Sequence, residues 1–127
     1  MSNHNHRPLV LVVEDNPANL MLATAVLERA DMRVISAGTT REARSLIASA
    51  LPDLVLMDVQ LPDGDGFELT RELKSASATA DLPVVALTAY AMKSDEEKAS
   101  AAGCDGFISK PVDTRTLAEQ VRRFLPT

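Results

Sequence analysis

Four short apolar runs in this sequence lead directly into polar residues that packing a core does not require. Leu9-Val10-Leu11-Val12-Val13 runs into Glu14-Asp15, and the run ending at Met57 into Asp58. The run ending at Leu87 meets Thr88, and the run ending at Ser109 meets Lys110-Pro111. Carboxylates gathered together repel, so at neutral pH they either take up protons or recruit a cation. Mg²⁺ suits such a set, because it takes one or two carboxylates and keeps several waters. Asp15 and Asp58 are the expected direct ligands, with Glu14 acting through a water and the Gln60 backbone carbonyl as a third protein ligand. A carboxylate beside Mg²⁺ is a competent nucleophile towards a phosphoryl group, since the metal neutralises incoming charge and aligns the group. The Lys110 ammonium can pair with one phosphoryl oxygen as a point charge, and the Thr88 hydroxyl can donate to another. Asp58 is then the phosphoryl acceptor.

Each of these residues has a plainer reading when taken alone. An Asp after a strand forms turns or caps helices, Thr88 is a β-branched strand end, Lys110 is a solvated lysine, and Glu14-Asp15 caps a helix. The conjunction decides, because capping alone does not place one coherent chemistry at the same end of four strands.

The elements that position these residues alternate five times between a short apolar run and an amphipathic stretch. After the first strand, Asn16 stands as cap and Pro17 opens a helix with Leu20, Ala23, Leu27 and Ala30 on one face. Arg33 to Ser36 is a weaker strand. Thr39 and Glu42 have capping-box spacing before a helix with Ala43, Leu46, Ile47 and Ala50 inward. Asp53 to Met57 is the third strand, and Asp65 with Glu68 opens a helix carrying Leu69, Leu73 and Ala76. Pro83 to Leu87 is the fourth strand. The helix from Ser94 to Ala102 is unusually polar and is expected to be the least firmly anchored. Gly103 ends it, Gly106 to Ser109 is the fifth strand, and Val112 to Leu125 is a final helix facing inward through Leu117, Val121, Phe124 and Leu125. Strands apolar on both faces must be covered on both faces, as in a parallel sheet. Strict β–α alternation then predicts an α/β doubly wound (βα)₅ sandwich. Ligands in such folds bind beyond the carboxyl ends of the strands.

Composition narrows the class further. The 127 residues suit one domain, 46% hydrophobic with 3% aromatic, so the core rests on Val, Leu, Ile and Ala. Residues 1–7 read as a polar, disordered leader in which His4 and His6 are solvated, and 8–127 as one folded domain. No apolar stretch approaches the roughly 20 residues needed to span a bilayer, so no membrane partner is expected. A net charge of −5 argues against nucleic acid, which requires a basic face. The lone Cys104 excludes an intramolecular disulfide and fits a cytoplasmic location.

The runs Val12-Val13-Glu14-Asp15-Asn16, Leu56-Met57-Asp58-Val59-Gln60-Leu61-Pro62-Asp63-Gly64-Asp65-Gly66, Ala86-Leu87-Thr88-Ala89 and Phe107-Ile108-Ser109-Lys110-Pro111 together resemble the receiver domains of two-component response regulators. The resemblance spans Leu9 to Leu125. It is strongest to stand-alone cell-division-type receivers and to the receivers of hybrid histidine kinases. It implies a flavodoxin-like fold with strand order 2-1-3-4-5 and phosphotransfer to Asp58 from a histidine kinase or a histidine phosphotransfer protein. It further implies a switch in which Thr88 is drawn to the phosphoryl group and Phe107 turns inward. That movement remodels the face of helix 4, strand 5 and helix 5 for a downstream protein partner, and the weakly anchored helix from Ser94 suits it. Phe rather than Tyr at 107 leaves no phenol hydroxyl for a state-dependent hydrogen bond. Gln60 and Tyr90 stand where the family tunes phosphoryl lifetime, and a bulky Tyr90 is expected to slow autodephosphorylation. A cis Lys110–Pro111 bond is also implied.

Rival classes fit less well. A haloacid-dehalogenase-like phosphatase carries a second Asp two residues after its nucleophile, where this chain has Gln60, and needs a cap over its substrate. A flavodoxin needs a Ser/Thr/Gly-rich phosphate loop after the first strand, where Glu14-Asp15 would repel a phosphate. A pseudo-receiver would not need the intact acidic pair, Asp, Thr and Lys. The expected protein is therefore a signalling domain and not an enzyme beyond its own phosphoryl transfer and dephosphorylation. A single-domain protein is expected over a receiver excised from a hybrid kinase.

Overall fold

The computed structural model describes residues 7–88 and 93–125. The chain runs β1 (Leu9–Val13), α1 (Pro17–Arg29), β2 (Arg33–Ala37), α2 (Thr40–Ser49), β3 (Leu54–Asp58), β4 (Gln60–Leu61), β5 (Gly64–Asp65) and α3 (Gly66–Ser75). It continues through β6 (Val84–Thr88), α4 (Lys93–Ala102), β7 (Gly106–Ser109) and α5 (Leu117–Phe124). The main sheet has order β2-β1-β3-β6-β7 with every pairing parallel. Counting its five strands alone, this is the expected order 2-1-3-4-5.

Alternation along the fully buried strands divides the core between the two faces of the sheet. Val10, Val12, Leu54, Leu56, Val85 and Leu87 pack with Ala23 and Leu27 of α1 and Leu117 and Val121 of α5. Leu11, Val13, Val55, Met57 and Val84 pack with Ala43 and Ile47 of α2 and Leu69 and Leu73 of α3. A smaller cluster joins Phe67 and Ala86 to Ala99 and Ala102 of α4. Helices therefore cover both faces, which is why these strands need no polar side.

Local signals place the helix starts. The Asn16 side chain accepts from the Ala18 and Asn19 N–H groups, with Pro17 in the first turn. At α2 the Thr39 hydroxyl accepts from the Glu42 N–H (3.1 Å), but Glu42 reaches back to the Gly38 N–H (3.0 Å), one residue earlier than a capping box specifies. Asp65 caps α3 by accepting from the Phe67 N–H (2.8 Å). Gly103 ends α4 at φ +95°, where any side chain is strained and a Cβ would approach Lys74 Cγ at 3.0 Å.

Three details differ from the sequence expectation. β3 and β6 each start and end one residue later than expected, so Asp58 and Thr88 belong to the sheet. The final helix begins at Leu117 and not at Val112. Asp113 holds the preceding residues in a turn, its carboxylate accepting from the Arg115 N–H (2.9 Å) and its carbonyl from Thr116 and Leu117. Finally, the loop after Asp58 is a short hairpin, β4 paired antiparallel with β5 through Gln60↔Asp65 and Leu61↔Gly64. Leu61-Pro62-Asp63-Gly64 is a turn sequence of the Pro-Asp-Gly kind, a signal that apolar periodicity alone passes over.

Residues 1–6, with His4 and His6, and residues 89–92, with Tyr90, lie outside the described residues. The Lys110–Pro111 bond is cis.

Gly66 is where the hairpin meets the sheet. A Cβ there would overlap the Asp58 carbonyl oxygen and come within 2.9 Å of Met57 Cγ. Gly66→Ala is therefore expected to lose about 1–3 kcal/mol of stability despite alanine's higher helix propensity. Urea unfolding followed by circular dichroism measures this, and an unchanged midpoint would contradict the packing described.

Candidate functional site

Strand register brings the polar residues together. Val13 pairs with Met57, so Glu14 and Asp58 follow side by side. Asp58 pairs with Leu87, with Thr88 next, and Thr88 pairs with Ser109, with Lys110 next. Backbone bonds continue each ladder past its last pair: the Glu14 N–H donates to Ala37 (2.9 Å), Val59 to Leu87 (3.2 Å) and Lys110 to Thr88 (2.7 Å).

The side chains converge at one mouth. Lys110 Nζ donates to Glu14 Oε1 at 2.8 Å and to Asp58 Oδ2 at 2.9 Å. The other Asp58 oxygen, Oδ1, accepts from the Gln60 backbone N–H at 3.0 Å. Glu14 Oε2 accepts from the Asn16 N–H at 3.1 Å. Glu14 and Asp58 are nearly fully buried while Asp15 is exposed, and carboxylate oxygens of all three lie within 4.8 Å of one another. Above them opens a cavity of about 290 Å³ lined by Glu14, Asp15, Asn16, Asn19, Asp58, Val59, Gln60 and Lys110. Thr88 closes β6 one strand over and is buried. Phe107 is half-buried on β7, paired with Ala86 and packed on the cluster that holds α4.

Electrostatics here are a balance between burial and pairing. Burial raises the Glu14 carboxyl above its ordinary value, and the nearby Asp58 adds to this, while the Lys110 and Asn16 hydrogen bonds act the other way. Burial alone would lower the Lys110 ammonium, yet its bonds to Glu14 and Asp58 hold it above the ordinary lysine value. Lys110 thus stabilises the fold fully below the ordinary lysine pKa, and that contribution is lost as pH climbs through its raised folded value. Away from the mouth, burial raises the half-buried Cys104 thiol, as expected of an inert packing residue.

Sequence reasoning selected Glu14, Asp15, Asp58, Gln60 and Lys110, and the fold brings all five to this mouth. It missed the Asn16 and Gln60 N–H groups as anchors of the two buried carboxylates. Backbone donors leave no residue-type signal, although their position two residues after each acid is legible as an Asx-like turn.

Comparison with known proteins gives the family. The response regulator receiver domain family matches residues 10–122. The chain therefore belongs to the response regulator receiver domain family. It is 39% identical over 116 residues to the polar-differentiation response regulator DivK of Brucella ovis, covering 91% of this chain and 94% of that protein. Among solved structures it is similar to a response regulator from Chloroflexus aurantiacus (TM-score 0.89, 29% identity, covering 93% of this chain and 97% of that one). It is also similar to the receiver domain of a Pseudomonas aeruginosa sensor histidine kinase with a magnesium ion coordinated in its active-site cleft (TM-score 0.85, 31% identity, covering 93% and 97%).

Removing the cation tests the balance. Lys110→Met leaves the buried Glu14 and Asp58 carboxylates uncompensated, and is expected to cost about 2–4 kcal/mol near pH 7 in chelator. The loss should shrink towards about pH 5. Glu14, already raised and now without the lysine that lowered it, takes up a proton more readily in the folded than in the unfolded chain. Urea unfolding at both pH values measures the difference, and an equal loss at both would contradict this account.

Proposed function

We propose that the chain is the phosphoacceptor switch of a two-component phosphorelay, with Asp58 as the acceptor. The observation that carries this reading is the state of the Asp58 carboxylate. One oxygen is held by Lys110 and the other by the Gln60 N–H, at the floor of an open mouth.

A carboxylate oxygen of Asp58 attacks the phosphorus of a phosphohistidine on a histidine kinase or histidine phosphotransfer protein. The P–O bond forms as the P–N bond breaks, imidazole leaves, and an acyl phosphate remains. Lys110 stays beside the new phosphoryl group as its fixed cation, and Thr88 supplies a hydroxyl from the adjacent strand end. Asp15 and Asp58, with Glu14 through a water and the Gln60 carbonyl, would hold Mg²⁺. Carboxylate oxygens within 4.8 Å of one another beside an open cavity fit such an ion. When bound, Mg²⁺ supplies neutralisation of the incoming phosphoryl charge.

The donor has an apolar landing beside the mouth. Leu22 is exposed on α1 and lines a small cavity that also touches Glu14 and Lys110. Readout uses Thr88 and Phe107 as the switch. Phe107 packs against the cluster that joins Ala86 of β6 to α4, whose buried side chains among those described are the alanines Ala99 and Ala102. Two small side chains bury little area, so shifting α4 costs little. The α4–β7–α5 face then meets a downstream protein partner. Gln60 and Tyr90 tune the phosphoryl lifetime. The likeness to DivK over 94% of that protein supports a single-domain reading of residues 8–127, and the likeness to a sensor-kinase receiver supports the alternative, a hybrid-kinase receiver. Among the described residues no helix is long and apolar enough to cross a membrane, in keeping with a cytoplasmic switch. The net charge of −5 disfavours nucleic acid as the partner.

Incubation with acetyl phosphate and Mg²⁺ should add one base-labile phosphoryl group per chain. Chelating the metal or making Asp58→Asn should abolish it, and mass spectrometry reads the outcome. No adduct on the unaltered chain would overturn the reading, and steady turnover of phosphate monoesters would favour a phosphatase. At free Mg²⁺ ten times its dissociation constant the fold should gain about 1.4 kcal/mol. Asp15→Asn should remove that gain.

A further inference from the structure

The hairpin that supplies the Gln60 N–H to Asp58 has little to hold it. β4 and β5 have two residues each, and hairpins of that size are marginal on their own. Gln60, Pro62, Asp63, Gly64 and Asp65 are exposed, and Leu61 is its one buried side chain. The hairpin is instead fastened at its tip. The Asp63 carboxylate accepts from the Thr40 N–H (2.8 Å), the Thr40 hydroxyl (2.9 Å) and the Arg41 N–H (3.1 Å), all in the first turn of α2.

The anchorage continues beyond α2. The Arg44 guanidinium donates to the Thr40 hydroxyl (3.3 Å) and makes a two-pronged pair with Glu72 of α3, both contacts 2.8 Å. The Thr40 donors hold the Asp63 carboxyl below the usual carboxylate range, and Thr40 itself is buried. At the other end, Asp65 caps α3 through the Phe67 N–H, and the Gly66 N–H donates to the Val59 carbonyl (3.1 Å). The hairpin therefore spans from α2 to α3 on two aspartates, with the Arg44–Glu72 pair joining the helices behind it.

We infer that Asp63 is a positioning residue for the phosphoryl-acceptor site, a clasp onto α2 that holds the hairpin so that the Gln60 backbone orients Asp58. The inference rests on the reading of Asp58 as acceptor. Asp63 stands five residues past Asp58 and touches none of the reacting groups. It acts through rigid backbone: tip to Gln60, Gln60 N–H to Asp58 Oδ1. With the clasp gone, Gln60 can swing away and the acceptor loses one of its two fixed hydrogen bonds. Outer supports of this kind matter because metal and acceptor geometry tolerates little displacement.

The test compares Asp63→Ala, Asp63→Asn and Thr79→Val with the unaltered chain, all well below their melting temperatures. Thr79 donates its hydroxyl to the Leu73 carbonyl (2.6 Å) in the segment after α3, so its variant controls for plain loss of stability. Asp63→Ala is expected to weaken Mg²⁺ binding in calorimetry by at least about threefold and to slow acetyl-phosphate labelling by a similar factor. Asp63→Asn, which keeps an oxygen acceptor for the Thr40 N–H, should recover most of both. Thr79→Val should leave both unchanged even where it lowers the melting temperature as much. Amide hydrogen exchange at Gln60 should quicken at least about tenfold in Asp63→Ala. An unchanged Gln60 exchange rate, or equal effects from Thr79→Val, would overturn the clasp. If the unaltered chain takes no phosphoryl group, the acceptor reading fails, and the Gln60 exchange rate alone judges the clasp.

Discussion

Everything at the mouth depends on one cation held between two buried carboxylates. Lys110 Nζ lies 2.8 Å from Glu14 and 2.9 Å from Asp58, and neither acid has much water to solvate it. Burying a carboxylate without a partner is prohibitive, so this contact is what allows two acids to sit at the end of a parallel sheet. It also sets the chemistry. In the proposed reaction, the lysine already committed to Asp58 is the counter-charge for the group that Asp58 takes up. The exposed Asp15 adds negative charge that the lysine does not touch, leaving the mouth short of a cation.

The sheet makes this economical. Parallel register puts Glu14 after β1, Asp58 at the end of β3 and Lys110 after β7 along one edge, with helices on both faces keeping water from the strands. Carboxylates far apart in sequence thereby meet with no loop having to be built for them. The hairpin after β3 is the exception, being neither core nor helix. It is held by carboxylates on neighbouring helix starts, so the least hydrophobic piece of the fold is secured by the directional bonds of Asp63 and Asp65. The bonded carboxylates at the mouth contrast with α4, seated by the small side chains of Ala99 and Ala102. A firmly held carboxylate beside a lightly held helix is the arrangement the proposed switch needs.

Much of this was legible in the residues. Full burial on both strand faces follows from runs such as Leu9 to Val13, and Asn16-Pro17 marks the start of α1. The ends of β3 and β6 were less legible, because a polar residue that stays in the ladder, as Asp58 and Thr88 do, looks like the first residue of a loop. The start of α5 was obscured for a related reason. Val112 continues the helical apolar spacing, but the Asp113 carboxylate competes for the Arg115 N–H and holds a turn instead. Glu14, Asp15, Asp58 and Lys110 could be picked out by type and placement. The support from Gln60 and Asn16 runs through backbone donors with no residue-type signal, only their spacing from each acid, and the contact between Asp63 and Thr40 joins residues far apart in the chain.

The central claim is that the phosphoryl group resides on the Asp58 carboxylate, and chemical trapping of the acyl phosphate addresses it directly. Borohydride reduction of the phosphorylated chain converts a phosphorylated aspartate to homoserine, which peptide mass mapping locates by residue. The account predicts homoserine at position 58 alone. Homoserine at position 15, or a phosphorylated chain yielding none at all, would contradict it.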